Sequence, residues 1–430
     1  MALQRRTLLL ALGLISEFVY LVASCRLPWW RYGGRLTSWP QILGEGRVSL
    51  GLCVAGIGLL MVAYLCGWSI VRMGGDLRAM VWGFAGVFSA TLFLLMPITS
   101  DLFTTLSRAH LFTDLGGNPL LEAPLRSTDP LVQAYPSYYA TRPSVYGPAW
   151  ALLSALGTIG RHDVVGGLFY LKGVAVTAYL GSTWLLERIL LRIRPHAATE
   201  GLFLFAWNPL VLLMAVGDGH NDIVMMALVL LSAWLLLRRQ WALSIGALAL
   251  SVWIKYISLI FVPLVAIYLW QQLSHQRGSK RWAPLVTGGL LAGLLSVLVF
   301  WPFGNLETAL CIPERLLWPV NWRTHTTELM AWGIGLGVLF FLPVYAVIAW
   351  RVMGSGGSFQ RMGNALFVAS VLAFLLGWAR SQPWHLLWPA ALVGLSDRRW
   401  AWPVVAGLSG ALLLAQTWVE WGMPGISSIS

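Results

Sequence analysis

Residues 241–270 read WALSIGALALSVWIKYISLIFVPLVAIYLW, thirty residues whose one charge is Lys255. About 20 apolar residues suffice to cross a bilayer as helix, so this run is too long for one crossing. Its flanks are both basic, Arg238-Arg239 before it and Arg277 after it. Positive flanks belong on the same side of the membrane. Two short helices meeting at Lys255 satisfy both constraints, and they set that cation in the turn at the far side.

The same pattern extends outward over the chain. Of its 430 residues 58% are hydrophobic and 11% charged, with a mean hydropathy of +0.71, too little charge to cover a water-soluble fold. Strand-like alternation is absent, so the crossings are helical. Spans are read at about 7–25, 48–71, 79–98, 165–188, 201–217, 222–237, 241–254, 256–271, 282–302, 329–350, 364–380, 385–397 and 401–418. The expectation is one all-α polytopic membrane domain over 1–430 with about thirteen helices, a long outer loop at 99–145 and a second at 304–328. Val22-Ala23-Ser24-Cys25 after an apolar run resembles a lipoprotein signal, but a first transmembrane helix serving as anchor fits the many spans that follow.

The formal charge of +12 is not gathered into a nucleic-acid-binding run; Lys and Arg sit at the ends of apolar segments. With the N-terminus cytoplasmic, the inner segments hold 16 positive and four acidic residues, and the outer segments 11 and 12. That asymmetry follows the positive-inside rule. The expected location is the plasma membrane, with the N-terminus cytoplasmic and the polar loops outside. The asymmetry also makes residues 146–160 a helix that does not fully cross, because an odd number of crossings must separate the outer loop from Arg188, Arg192 and Arg194. The four cysteines show no metal-ligand spacing. Cys25 and Cys311 both fall near the outer face, and they are read as unpaired.

Chemistry-bearing residues concentrate on that outer side. Asp101 follows a span directly, and an apolar setting is expected to raise its pKa and let it take a proton. Helix capping is its bland alternative. Arg108 and Tyr146 lie on the same loop, which at about 45 residues is too long for a simple connector. Asp218-Gly219-His220-Asn221-Asp222 forms a tight turn between two spans. There Asp222 either caps the next helix or, with Asp218, His220 and Asn221, meets sugar hydroxyls; as a divalent-metal site the spacing is poor. Lys255 either holds a lipid phosphate or snorkels to the headgroups. Lys172 is expected to pair with Glu17. In the late turn Arg380-Ser381-Gln382-Pro383-Trp384-His385, Arg380 offers a phosphate contact, Trp384 a stacking face, and Gln382 and His385 hydrogen bonds.

The order Asp101, Asn118-Pro119-Leu120, Tyr146-Gly147-Pro148, Trp207-Asn208-Pro209, Gly219-His220-Asn221-Asp222, Lys255 and Gln382-Pro383-Trp384-His385 resembles the GT-C superfamily of polyprenyl-phosphate-sugar-dependent glycosyltransferases. Within it, the likeness is to bacterial cell-envelope α-1,6-mannosyltransferases. The resemblance implies a GT-C-like bundle with short re-entrant helices and inverting hexosyl transfer, with mannose as the sugar. The donor would be a polyprenyl-phosphate sugar, and the acceptor a cell-envelope glycan or glycolipid. Asp101 would be the general base, Lys255, Arg380 and Arg108 would hold the donor phosphate, and no cofactor is implied. Two departures from the pattern are Ser100 beside a lone Asp101, where relatives carry paired acids, and His385 in place of Tyr. A lipid-linked-sugar flippase and a non-catalytic assembly protein are the competing classes. The absence of internal repeats and of charges spread through the spans speaks against the flippase.

Overall fold

The computed structural model describes residues 2–32, 38–124, 142–160, 163–276, 278–304, 307–308, 328–376 and 382–422. Among these residues the secondary structure is helical, apart from an isolated bridge between Pro28 and Leu95. Among the described residues seven helices are long and apolar enough to cross a membrane, or eight if one bent pair counts as a span. Shorter apolar helices accompany them, so seven to eight crossings are supported by length in place of the thirteen expected.

The chain opens with α1 (Ala2–Arg26), α2 (Arg47–Val71) and α3 (Arg78–Phe93), with α1 packed on both of the others. Trp29 N–H and Met96 N–H donate to the Leu94 and Leu27 carbonyls, and the Trp29 indole donates to the Phe93 carbonyl. The segment after α1 is thereby tied to the end of α3. Next come α4 (Asp101–Thr113) and α5 (Pro148–Ala155), which pack together. At eight residues α5 is about 12 Å long, far short of the hydrocarbon thickness.

The centre of the bundle is α6 (Val164–Ile193), the bent pair α7 (Pro195–Ala206) and α8 (Pro209–Gly217), and α9 (Asp222–Leu237). The 48° bend has a sequence cause. Pro209 cannot continue a helix hydrogen-bond ladder, and the Asn208 side chain restarts it by accepting from the Leu210 and Val211 amides. The last six residues of α8, Leu212–Gly217, are π-helical, a wide turn that often marks functional sites.

The remainder is α10 (Trp241–Ile254), α11 (Tyr256–Ser274), α12 (Ala283–Phe300), α13 (Glu328–Met353), α14 (Phe359–Leu376), the short α15 (Leu387–Leu392) and α16 (Ala401–Gly422). Lys255 is extended (φ −150°, ψ 119°) and separates α10 from α11 where two short helices were expected. Large apolar side chains left exposed, such as Leu52 on α2, Leu290 on α12, Phe340 on α13 and Trp418 on α16, lie along the long helices, as a lipid-facing surface requires.

Two expected pairings differ. Lys172 does not meet Glu17, whose carboxylate accepts from the Thr91 hydroxyl. Instead Lys172, fully buried on α6, donates to the carbonyls of Leu95 (2.8 Å), Val216 (3.2 Å) and Gly217. An ammonium has three donors and a helix C-terminus has unpaired carbonyls with a negative dipole end, so the match is physical. Cys25, Cys53 and Cys66 are free thiols, and Cys311 lies outside the described residues.

Candidate active site

The ends of α3 and α8, held by Lys172, lead within a few residues to Ile98-Thr99 and to Asp218. Asp218 Oδ1 accepts from the amides of Ile98 (2.6 Å) and Thr99 (2.9 Å), and its Oδ2 lies 2.8 Å from His220 Nε2. This carboxylate is fully buried, and it fastens the segment before Asp101 to the turn that carries His220. Gly219 sits at φ +74° with Leu102 Cδ1 2.8 Å from where a Cβ would stand, so both backbone and space call for glycine there.

His220 Nδ1 then faces Asp101 Oδ2 at 3.3 Å, and the Tyr146 hydroxyl donates to the same oxygen at 3.0 Å. Tyr146 is placed by its neighbour. Gly147 N–H donates to the Ile254 carbonyl, and a Cβ on Gly147 would come within 2.0 Å of the Trp253 carbonyl oxygen. This close backbone approach seats α5 against α10. Lys255, one residue past Ile254, puts its ammonium 5.3 Å from the Tyr146 ring centre and donates to both oxygens of Asp222, at 2.9 and 2.8 Å. Asp222 also accepts from the Trp388 indole. It therefore does not cap α9; it holds Lys255.

The electrostatics correct one expectation. Burial pushes the Asp101 carboxyl up, but the hydrogen bond and charge of His220, the Lys255 ammonium and the Tyr146 hydroxyl together bring it below the ordinary carboxylate value. For His220, burial pulls the imidazole down, and Asp218 and Asp101 outweigh it, raising it to about 9. The Tyr146 phenol is raised by burial and by the charges of Asp101 and Asp222, so it stays a donor at neutral pH. Asp101 is thus an ionised acceptor at neutral pH, hydrogen-bonded to an imidazolium and a phenol.

Side-chain exposure separates the members of the cluster. Asp218 and Asp222 are at 0% and His220 at 1%, while Asp101 reaches 16% and Lys255 13%. Asp101 and Lys255 are thus partly open, as are Tyr146 and His385, while Asp218, Asp222 and His220 are closed in by protein. Asn221 is 4% exposed, and its carboxamide oxygen and nitrogen have no hydrogen-bond partner among the described residues. A buried amide left so costs free energy unless a ligand or water meets it.

Trp384 stacks on His220 (4.1 Å, 16°), so one indole face is occupied by protein. His385 Nδ1 accepts from the Gln382 amide, which leaves Nε2 as the donor, and its ring stacks on Trp388 at 4.7 Å. Arg108 is buried on α4, two turns beyond Asp101, and borders a space of about 10 Å³ with Thr105, Ser144, Tyr146, Trp150 and Ser154. Arg380 lies outside the described residues. Sequence reading gave no role to Lys172 in this site and missed the Trp388 contact to Asp222. The one signal was a lysine inside an apolar span.

A family model described as "Alpha-(1->6)-mannopyranosyltransferase, N-terminal domain" matches residues 10–271. Alpha-(1->6)-mannopyranosyltransferase A of Mycobacterium tuberculosis is 24% identical over 446 residues, covering 95% of this chain and 80% of that protein. Alpha-(1->6)-mannopyranosyltransferase B of Corynebacterium glutamicum is 24% identical over 206 residues, covering 45% of this chain and 34% of its own length.

Proposed function

Because this chain belongs to the α-(1→6)-mannopyranosyltransferase family, a family of mannosyltransferases, we propose that it transfers mannose with inversion from a polyprenyl-phosphate-mannose donor to a cell-envelope glycan or glycolipid. The observation that carries this reading is an ionised carboxylate, Asp101, and an ammonium, Lys255, both partly open beside the sealed side chains of Asp218, His220 and Asp222.

In this mechanism Asp101 accepts the proton of the acceptor hydroxyl while that oxygen forms a bond to the anomeric carbon. The bond from that carbon to the phosphate oxygen breaks on the opposite face, and its electron pair leaves with the lipid phosphate. A phosphate dianion is a modest leaving group, so cations must meet its growing charge. Lys255 is assigned to it, with Arg108 beyond Tyr146 and Arg380 in support. The Asn221 carboxamide, the Tyr146 hydroxyl, Gln382 and His385 are assigned to sugar hydroxyls, with Trp384 as one wall. Asp218 and Asp222 act behind them as anchors of His220 and Lys255.

The charge asymmetry of the loops supports a cytoplasmic N-terminus and an extracytoplasmic site. The shorter apolar helices would then complete a GT-C-like bundle of about thirteen crossings, open to a lipid-borne donor.

The test is transfer of labelled mannose by the purified protein from polyprenyl-phosphate-mannose to a mannoside acceptor. General-base catalysis typically contributes about 10²- to 10⁴-fold, so Asp101→Asn should lower kcat by that factor, while the protein stays folded with a thermal midpoint reduced by the lost His220 ion pair. Full activity in Asp101→Asn, or activity with a nucleotide-linked donor alone, would overturn the reading.

A further inference from the structure

At the other end of α6 and α9 the two helices enclose a second feature unrelated to the transfer site. Trp184, Arg188, Leu191 and Arg192 from α6, with Trp234 and Arg238 from α9, line a groove of about 550 Å³. The two indoles meet with their centres 5.6 Å apart and their planes tilted by 56°. Arg188 lies over the Trp184 ring at 5.5 Å, and Arg238 over the Trp234 ring at 5.1 Å. These guanidinium groups are thus already oriented on aromatic faces before any ligand arrives.

The depth of the groove follows from helix geometry. Lys172 and Asp222 mark the level of the transfer site, and Arg188 and Arg238 each lie sixteen residues further along the same helices. At about 1.5 Å per residue that is about 24 Å, close to the hydrocarbon thickness, which sets the groove at the headgroup level of the opposite leaflet. Among the described residues no acidic side chain lines it. The nearest acid in sequence, Glu187, is turned away, bonded to Arg78 at 2.9 Å and to the Trp82 indole at 3.0 Å. Three cations without a counter-charge would repel the ammonium of a zwitterionic headgroup and match an anionic one. A second copy of the chain meeting this face through the same groove would set arginine against arginine.

We propose that this groove binds the headgroup of an anionic phospholipid, its phosphate held by Arg188, Arg192 and Arg238 and its glycerol and upper acyl chains resting against Trp184 and Trp234. Basic pockets between helices and tryptophans at the interface are suited to this contact.

The experiment reconstitutes the full chain in phosphatidylcholine nanodiscs doped with cardiolipin and counts lipids retained on release by native mass spectrometry. Wild-type protein should retain cardiolipin over phosphatidylcholine by at least about ten-fold, and R188Q/R192Q/R238Q should lose that preference. A control, R72Q/R351Q/R361Q, removes three other exposed arginines and should keep it. The substituted side chains are exposed, so the thermal midpoint should hold in both. The proposal is overturned if the groove variant retains cardiolipin like wild type, if the control loses it equally, or if wild type shows no preference. It is also overturned if the same arginines hold a second copy of the chain and no lipid.

Discussion

His220 carries the charge balance of the site. It lies between Asp218 and Asp101, with Trp384 over its face, and as an imidazolium it neutralises one buried and one partly open carboxylate at once. Its folded pKa of about 9 stands above the ordinary 6.5, so its stabilisation is complete below pH 6.5 and is lost as pH rises toward 9. The shift corresponds to about 3 kcal/mol. Asp101 has the opposite sign: lowered below its ordinary value of 3.8, it contributes above that pH and loses the contribution as pH falls further. Stability should therefore be level from about pH 5 to 6.5 and decline from there to 9, while the transferase activity of the folded protein should hold until the imidazolium itself titrates near pH 9. His220→Asn should be less stable throughout and lack the alkaline decline. Thermal unfolding in detergent across this range, alongside the rate, checks it; a wild-type curve flat to pH 9 would exclude the imidazolium.

At the scale of elements, the site is a set of helix ends brought to one level. Lys172 joins the ends of α3 and α8, and Gly147 lets α5 approach α10. Lys172→Met would leave three buried carbonyls without a donor, at about 1–3 kcal/mol each, so a large drop in thermal midpoint is expected together with loss of activity. Gly147→Ala differs in kind. The Trp253 carbonyl cannot move aside, so α5 must shift and carry Tyr146 off Asp101 and Lys255. A fall in kcat larger than the fall in stability is expected, and wild-type turnover in Gly147→Ala would disprove the positioning role of this contact. These elements also mark what a sequence can convey. Asp101, the 218–222 turn and Lys255 were legible because polar residues at breaks in apolar runs must sit at helix ends. The short α5 was legible from the arginines that follow it. Which carboxylate faces a ligand and which serves as an anchor was not, since that depends on partners such as Leu95, 77 residues from Lys172, and Trp388, 166 residues from Asp222. The π-helical end of α8, which aims Asp218 at the Ile98 and Thr99 amides, has no sequence periodicity of its own to reveal it.

On the scale of the whole molecule, the two ends of the bundle differ in charge and in kind of contact. One end gathers Arg5 on the Met73 and Gly74 carbonyls, Arg6 on Asp76 and Arg78 on Glu187, and the arginine groove belongs to it as well. The other gathers Asp218 and Asp222 with their partners. If the arginine-rich end is cytoplasmic, as the positive-inside rule requires, a lipid-borne donor reaches Asp101 from the outer leaflet. The chain carries a reporter of this. Cys25 is exposed in the last turn of α1, and Leu27, two residues on, bonds to Met96 close to Asp218's partners Ile98 and Thr99. With the other three cysteines changed to serine, a membrane-impermeant maleimide should label Cys25 in intact cells. Met73, 55% exposed between α2 and α3, reports on the opposite end. Met73→Cys in a background lacking all four native cysteines should label only after permeabilisation. The reverse pattern would place Asp101 in the cytoplasm, where the same carboxylate and ammonium would have to work on a donor in the inner leaflet.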